Sequence, residues 1–204
     1  MSSRDLPRLV LVRHGQTSWS AAGLHTGLTD IPLTAEGEAS TRWLREELAR
    51  ERFACVLTSP LQRASRTCHL AGFGDVAEVD PDLVEWDYGD YEGRRTIDIR
   101  ADRPDWHLFR DGCPGGESPA EVGARADRVL ARLAGIDGAS LIFSSGHVMR
   151  VLAARWLRLE PGAGRYFALA TASLSELGYE HDLGRPVIRL WNRTPMTASR
   201  AGGC

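Results

Sequence analysis

The sequence predicts an α/β protein: a single three-layer domain in which helices cover both faces of a mostly parallel central sheet. Three observations predict this class. Short aliphatic runs alternate along the chain with segments of helical period. The first run, Leu9–Val12, contains no polar residue, as expected for a strand that is buried on both faces. Polar clusters directly follow several of these runs, at the edge where open α/β sheets form their sites.

The other elements follow from periodicity and from capping residues. Further strands are predicted over residues 53–57, 76–79, 141–144, 174–179 and 187–191. Helices are predicted over 35–50, after the pair Ser59-Pro60, from Glu117-Ser118-Pro119 to about Ala134, and over 148–159. Residues 18–33 and 82–93 lack a clean period and are interpreted as loops.

Length and composition limit the class of protein. A chain of 204 residues is enough for one sizeable domain, expected over 1–204 with a core at about 8–192 and a flexible tail at 193–204. The net charge of −2 implies no general affinity for nucleic acid or membranes. No signal peptide precedes Leu6, and no long apolar run occurs, which predicts a cytoplasmic protein with reduced thiols. The cysteines show no metal-ligand or redox spacing, and we expect neither a metal nor a cofactor.

The end of the first strand carries the strongest chemical signal. Arg13 supplies a permanent cation whose planar fork suits phosphate oxygens. His14 can accept a phosphoryl group on its imidazole, and Gly15 lets the backbone approach an anion. An isolated Arg-His-Gly is more often an ordinary strand end and turn, so the functional interpretation depends on other residues that converge here.

Two further strand ends should deliver polar groups to the same edge. They are the turn that carries Arg63 and the sequence Ser145-Gly146-His147, and the acidic loop at Glu85 is a fourth candidate. Two arginines, a histidine and a carboxylate without metal-ligand spacing suit metal-free phosphoryl transfer. The arginines would neutralise the phosphate, the histidine would attack phosphorus, and the acid would protonate the leaving oxygen. On chemistry alone, Glu92 competes with Glu85 for the acid role.

These residues belong to stretches that resemble the histidine phosphatase superfamily in its phosphoglycerate-mutase-like branch, over roughly residues 8–180. The matching stretches are 11–17 (LVRHGQT), 26–30 (TGLTD) with Leu33-Thr34, 58–60 (TSP) through Arg63, 85–93 (EWDYGDYEG) and 112–118 (GCPGGES). The last two of these stretches are most similar to small broad-specificity acid phosphatases and sedoheptulose-bisphosphatase-like members.

The resemblance implies roles for individual residues. His14 would be the phosphohistidine nucleophile and Glu85 the proton donor, while Arg13 and Arg63 would bind the transferring phosphate. Trp86 and Tyr88 are expected to pack around the acid. The remaining candidates for the phosphate and substrate side are Gln16, Thr17, Thr26, Gly27, Ser145, Gly146, His147, Glu117 and Ser118.

One position departs from the family pattern. The family ends its fourth strand with a histidine immediately before the glycine, and here that residue is Ser145. A charge-assisted hydrogen bond to phosphate is thereby reduced to at best a neutral one, a loss of ~1.5–3 kcal/mol or ~10–100-fold in rate. His147 follows Gly146, but relatives often carry that second histidine as well, so it is not an obvious replacement.

Three functions therefore stay open at the level of sequence. A phosphatase acting on a small phosphorylated metabolite, such as a sugar phosphate, is favoured over a mutase because the insert at 94–114 is short and the end of the chain is small and polar. A binding protein without turnover needs neither a nucleophile nor an acid, and both are retained. The scattered histidines His25, His69, His107 and His181 are assigned surface or loop roles, and the oligomeric state stays open, a homodimer being one option.

Overall fold

The computed structural model describes residues 6–195, which form one six-stranded sheet with helices packed against it. The sheet order is β3-β2-β4-β1-β5-β6. The strands are β1 (Arg8–Arg13), β2 (Phe53–Thr58), β3 (Glu78–Val79), β4 (Ala139–Ser144), β5 (Leu174–Tyr179) and β6 (Pro186–Arg193).

The sheet is mostly parallel, as predicted. β1 and β2 each pair in parallel with β4, and β3 pairs in parallel with β2. Only β5 runs in the opposite direction, because it is antiparallel to both β1 and β6. The carboxyl ends of β1, β2, β3 and β4 therefore lie at one edge of the sheet.

Eight α-helices connect these strands. They are α1 (Ser18–Ala22), α2 (Ala35–Ser40), α3 (Arg42–Leu48), α4 (Gln62–Leu70), α5 (Thr96–Asp102), α6 (Leu108–Asp111), α7 (Pro119–Leu133) and α8 (Gly146–Trp156). Short 3₁₀ turns occur at Pro81–Leu83, Gly89–Tyr91 and Pro161–Tyr166.

The central strand β1 divides the core into two layers. Leu9 and Leu11 belong to one apolar cluster, which α7 and α8 cover, whereas Val10 and Val12 belong to the other, which α3 and α4 cover. All four side chains are almost completely buried. Successive side chains of a strand point to opposite faces, so an uninterrupted aliphatic run is what a strand between two helical layers requires. The predicted three-layer α/β class is confirmed.

Several predicted boundaries need correction. The helix expected over 35–50 is two helices, with a break at Thr41, whose buried hydroxyl donates to the Glu38 carbonyl and competes with helix geometry. The helix after Ser59-Pro60 begins only at Gln62, because Leu61 is extended. The segment 18–33, predicted as a loop, contains α1.

Other elements differ in length from the predictions. β3 has two residues rather than four, β4 begins at Ala139, and α8 begins at Gly146 rather than at 148. Arg193, which was predicted to belong to the flexible tail, ends β6 instead, and its guanidinium pairs with the Glu47 carboxylate at 2.8 Å. Residues 196–204 of that predicted tail lie outside the described residues.

The described residues contain neither a membrane-spanning helix nor a preformed metal cluster. Within residues 6–195, no helix has the length and apolar character needed to cross a bilayer. Over the same residues, no group of three or more histidine, cysteine or acidic side chains is arranged to hold a metal ion.

Candidate active site

The candidate site lies at the carboxyl edge of the sheet, where β1 and β4 end side by side. Arg13 is opposite Ser144 in the parallel register, and the His14 backbone N–H donates to the Ser144 carbonyl at 3.0 Å. A pocket of about 230 Å³ opens here. Its lining residues are Arg13, His14, Ser20, Gly23, Leu24, His25, Thr26, Glu85, Tyr88, Thr96 and His147.

His14 is held in one orientation and one tautomer. Its Nδ1 lies 2.7 Å from the carbonyl oxygen of Gly15 and must donate to it, because a carbonyl can only accept. The neutral ring then carries no proton on Nε2, which has no hydrogen-bond partner among the described residues and belongs to a pocket-lining side chain. A bare Nε2 is the form of imidazole that can attack phosphorus.

The surroundings of His14 keep the ring neutral. Burial lowers the pKa of His14 well below the usual value, and the positive charges of Arg13 and Arg63 lower it further. Both effects disfavour imidazolium, so the nucleophilic form persists into mildly acidic conditions.

The Glu85 carboxylate is fixed by backbone groups. Its Oε1 accepts hydrogen bonds from the N–H groups of Trp86 at 2.9 Å and Val148 at 2.8 Å, and its Oε2 accepts from the His147 N–H at 2.9 Å. Two of these donors belong to the first turn of α8, where the helix dipole also favours a negative charge. Glu85 therefore reaches the pocket in one defined position, with a lone pair still available on Oε2.

A buried ion pair braces the loop that carries Glu85. Glu117 accepts two hydrogen bonds from Arg125, at 2.7 and 2.8 Å, and one from the Asp87 N–H at 2.9 Å. Arg125 also donates to the carbonyl groups of Asp82, Val84 and Glu85. Glu117 thus supports the acid loop without lining the pocket.

Ser118, predicted on the substrate side, has another role. Its hydroxyl accepts from the Glu121 N–H, and the Glu121 carboxylate accepts from the Ser118 N–H, which makes a capping box for α7. The structure does not bring Ser118 into the pocket.

Arg13 is a half-buried cation at the pocket wall. Its Nη1 donates to the Leu169 carbonyl, whereas its Nε is buried with no partner among the described residues. Gly146 packs directly on the guanidinium, and a Cβ at this position would lie 3.0 Å from Cζ of Arg13. The absence of a side chain at Gly146 is therefore what allows Arg13 to lie against the start of α8.

Arg63 is completely buried, and the loop before it takes up most of its donors. Its Nη2 donates to the carbonyls of Thr26 at 3.1 Å and Gly27 at 2.7 Å, and its Nη1 donates to the Thr29 carbonyl at 3.0 Å. Its Nε lies 3.4 Å from the Ser145 hydroxyl. The structure thus places Arg63 beneath the pocket wall, with its positive charge close enough to affect His14.

Ser145 and His147 occupy different positions in the site. Ser145 is completely buried, its hydroxyl accepts from Arg63, and it is not among the residues that line the pocket. His147 does line the pocket, and its Nδ1 is hydrogen-bonded to the Tyr88 hydroxyl. Burial raises the pKa of Tyr88 and lowers the pKa of His147, so both groups are neutral. When the phenol donates to Nδ1, the neutral His147 ring carries its proton on Nε2.

Of the residues predicted for the substrate side, some line the pocket and others hold the surrounding backbone. Thr26 lines the pocket, whereas the Gly27 N–H donates to the Glu92 carboxylate at 2.9 Å. Gln16 accepts a hydrogen bond from the Thr34 hydroxyl, and the buried Thr17 caps α1, so neither reaches the pocket. Thr17 is a correction to the predicted binding set.

The structure also shows what Gly15 and Glu92 do. A Cβ on Gly15 would lie 2.5 Å from the Gly37 carbonyl oxygen, so its small size serves backbone packing rather than the approach to an anion. Glu92 accepts hydrogen bonds from the backbone N–H groups of Gly27 and Thr29. It holds the loop at 26–29 and is absent from the pocket lining, which leaves Glu85 as the carboxylate in the pocket.

Sequence reasoning missed some pocket residues. His25, assigned a surface or loop role, lies in the pocket wall, 4.6 Å from the Tyr88 ring between ring centroids, and burial lowers its pKa to about 4. Tyr88 was expected only to pack. Arg150 lies one turn beyond Gly146 on α8. Its helical spacing from the strand-end motif Ser145-Gly146-His147 is the signal that could have placed it near the site.

Comparison with known proteins identifies the family of this chain. Residues 9–194 match the histidine phosphatase superfamily (branch 1). An acid phosphatase from Mycobacterium tuberculosis is 42% identical over 178 residues, which cover 85% of this chain and 87% of that protein. A sedoheptulose 1,7-bisphosphatase from Saccharomyces cerevisiae is 37% identical over 186 residues, covering 75% of this chain and 68% of that protein.

A solved structure shows the same architecture. The structure of an open reading frame from Mycobacterium tuberculosis superposes with a TM-score of 0.86 at 39% identity, and covers 92% of this chain and 97% of that one. The chain therefore belongs to the histidine phosphatase superfamily. A phosphoric monoester hydrolase acting on small phosphate esters is the activity that this membership and these relatives support.

The protonation state of His14 can be tested without measuring activity. In an NMR titration of the histidine ring signals, we expect His14 to protonate well below the pH of about 6.5 at which an unperturbed histidine protonates, because its pKa is lowered. His25 should titrate near pH 4. His14→Ala and His25→Gln assign the two signals. A His14 signal that titrates near pH 6.5 would contradict the proposed environment.

Proposed function

We propose that this protein is a metal-independent phosphatase that hydrolyses a small phosphomonoester, such as a sugar phosphate, through a phosphohistidine at His14. The observation that carries the proposal is the geometry of His14, whose Nδ1 is bound to the Gly15 carbonyl while Nε2 is left free in a pocket with Arg13 and Glu85. The names of the relatives, an acid phosphatase and a sugar bisphosphatase, support this substrate class.

In the first half of the reaction, the His14 Nε2 lone pair attacks phosphorus. A P–N bond forms as the bond from phosphorus to the ester oxygen breaks, and the leaving oxygen takes the proton that the Glu85 carboxyl carries once the anionic phosphate is bound next to it. The Arg13 guanidinium, with an unpartnered Nε, offsets the charge on the phosphoryl oxygens. The alcohol leaves, and a phosphohistidine remains.

In the second half, water replaces the histidine. The Glu85 carboxylate takes a proton from water as the water oxygen bonds to phosphorus and the P–N bond breaks. Inorganic phosphate leaves, and both His14 and Glu85 return to their starting states. The same carboxyl group acts as acid and then as base, which its single fixed position allows.

His147 supplies the pocket with a second imidazole donor in this proposal. Ser145 cannot do so in its observed position, because it is buried beneath the pocket and bound to Arg63. The Nε2–H of His147, held in that tautomer by Tyr88, is a neutral donor for a phosphoryl oxygen. A neutral donor stabilises charge less than imidazolium does, so we expect a slower enzyme than one with histidine at position 145.

A cytoplasmic location remains part of this proposal. The free thiols of Cys55, Cys68 and Cys113 support it, because disulfides are rare in reducing compartments.

Hydrolysis of p-nitrophenyl phosphate and a panel of sugar phosphates tests the phosphohistidine route. Between about pH 5 and pH 8, with EDTA present, we expect wild-type turnover that His14→Ala lowers at least about a thousandfold, because the nucleophile is lost. His181→Ala is the matched control, since that side chain is 71% exposed. Equal rates for wild type and His14→Ala would contradict the proposal, and inhibition by EDTA would contradict its metal independence.

Replacing Ser145 tests how much the missing imidazole matters. We expect Ser145→His to raise kcat/KM for p-nitrophenyl phosphate at least several-fold, and by up to ~10–100-fold, because a charge-assisted donor is restored. Ser145→Asn fills the same space without a cationic group and should give no such gain. A folded Ser145→His protein with unchanged activity would count against the proposed chemistry.

A further inference from the structure

A second cavity lies beside the candidate active site, and its composition points to a ligand. It has a volume of about 140 Å³ and shares His25, Thr96 and His147 with the catalytic pocket, so the two adjoin. The remaining lining residues are Arg100, Trp106, His107, Leu108, Phe109 and Arg150. The wall of this cavity is therefore cationic and aromatic.

The Arg150 guanidinium is built into this wall. Its Nε donates to the Gly164 carbonyl at 3.0 Å and its Nη2 to the Arg165 carbonyl at 3.0 Å, while its Cζ lies 4.5 Å from the centre of the Phe109 ring. Carbonyls and an aromatic ring position the cation but leave its charge uncompensated. Nη1 has no partner in the part of the chain that the structure describes.

Arg100 also lines this cavity, does not line the catalytic pocket, and is similarly unpaired. Its Nε donates to the Trp106 carbonyl at 3.0 Å, and its two terminal nitrogens have no partner within residues 6–195. No carboxylate of those residues lies within ion-pair distance of Arg100 or Arg150. By contrast, the nearby Arg94, Arg95 and Arg110 all pair with aspartates.

His107 adds a third unsatisfied group. Its Nδ1 is buried without a hydrogen-bond partner among the described residues, and burial together with the positive charges of Arg100, Arg165 and Arg110 lowers its pKa. Buried polar atoms in proteins are nearly always paired, so an unpartnered imidazole nitrogen on a residue that lines the same cavity as Arg100 and Arg150 indicates a site completed by a ligand.

We propose that this cavity binds a second anionic group, a carboxylate or a phosphate, of the same substrate molecule whose phosphoryl group lies at His14. Guanidinium groups bind the oxygens of either anion in a planar fork. The substrate would then be a small phosphate ester with two anionic groups, one cleaved and one retained at Arg100 and Arg150. This inference rests on the proposed function, since His14 defines which group is cleaved.

Pairs of substrates that differ only in the second anion isolate the contribution of that anion to kcat/KM. 3-Phosphoglycerate and glycerol 3-phosphate differ only in a carboxylate that replaces a hydroxymethyl group, and fructose 1,6-bisphosphate and fructose 6-phosphate differ only in one phosphate. We expect kcat/KM for the wild type to be about tenfold or more higher for at least one of the two-anion compounds than for its partner, mainly through a lower KM.

The arginine variants locate that preference. Arg100→Gln removes an exposed cation that has one backbone contact, so its folding should be unaffected, and we expect it to abolish most of the preference while changing p-nitrophenyl phosphate hydrolysis less than about twofold. Arg150→Gln should also lower the preference, and Arg150→Lys should keep part of it. Arg42→Gln, at an exposed site on α3, changes the net charge equally and should leave the preference intact.

Binding to a variant without the nucleophile keeps the two proposals distinguishable. Calorimetry on His14→Asn with the same four compounds measures the subsite even if no turnover occurs. No turnover by the wild type, with a binding preference that Arg100→Gln removes, would overturn the phosphatase proposal and support the subsite. Equal binding and equal kcat/KM within each matched pair would overturn the subsite, whatever the activity on p-nitrophenyl phosphate.

Discussion

The parallel pairing of β1 with β4 is the constraint on which the site depends. It places the end of β1, with Arg13 and His14, next to the end of β4, from which α8 starts. The first turn of α8 then supplies two of the three N–H groups that bind Glu85. A shift of one residue in this register would turn the side chains of β1 to the opposite faces of the sheet and separate the nucleophile from the acid.

Buried charge in this site is held mainly by the backbone. Arg13 and Arg63 donate to main-chain carbonyls, Glu85 accepts from main-chain N–H groups, and Arg125 combines carbonyl contacts with an ion pair to Glu117. Main-chain dipoles can orient a cation without neutralising it, so positive charge remains available near the pocket. The same principle explains the neutral His14, since uncompensated arginines disfavour a further positive charge.

The fold could be predicted from local patterns. The aliphatic run at 9–12 and the capping sequence Ser118-Pro119 each specify an element through residues that are only a few positions apart. The Arg-His-Gly motif could be placed at the sheet edge for the same reason. The break at Thr41 could not be predicted, since it depends on one buried hydroxyl that bonds to the backbone. Resemblance to a family was also needed to choose Glu85 over Glu92, and the structure supplies the physical difference, as Glu92 binds the loop at 26–29.

Contacts distant in sequence account for the rest. Arg125 and His25 were not candidates, because each reaches the site through tertiary packing that leaves no local motif. The tautomers of His14 and His147 likewise depend on partners that only the folded chain defines. The role of Ser145 was the least predictable, since a hydroxyl at the expected position turned out to serve Arg63 rather than the pocket.

Trapping the covalent intermediate is the direct test of whether His14 is the nucleophile. The protein would be mixed with substrate, quenched within the first turnovers in alkali or in acid, digested, and analysed by mass spectrometry, with His14→Ala as the control. We expect a phosphoryl group on His14 that survives alkali and is lost in acid, because a P–N bond has this stability. The same group should be absent from His14→Ala. A phosphoryl group on another residue, or turnover without any adduct at His14, would contradict it.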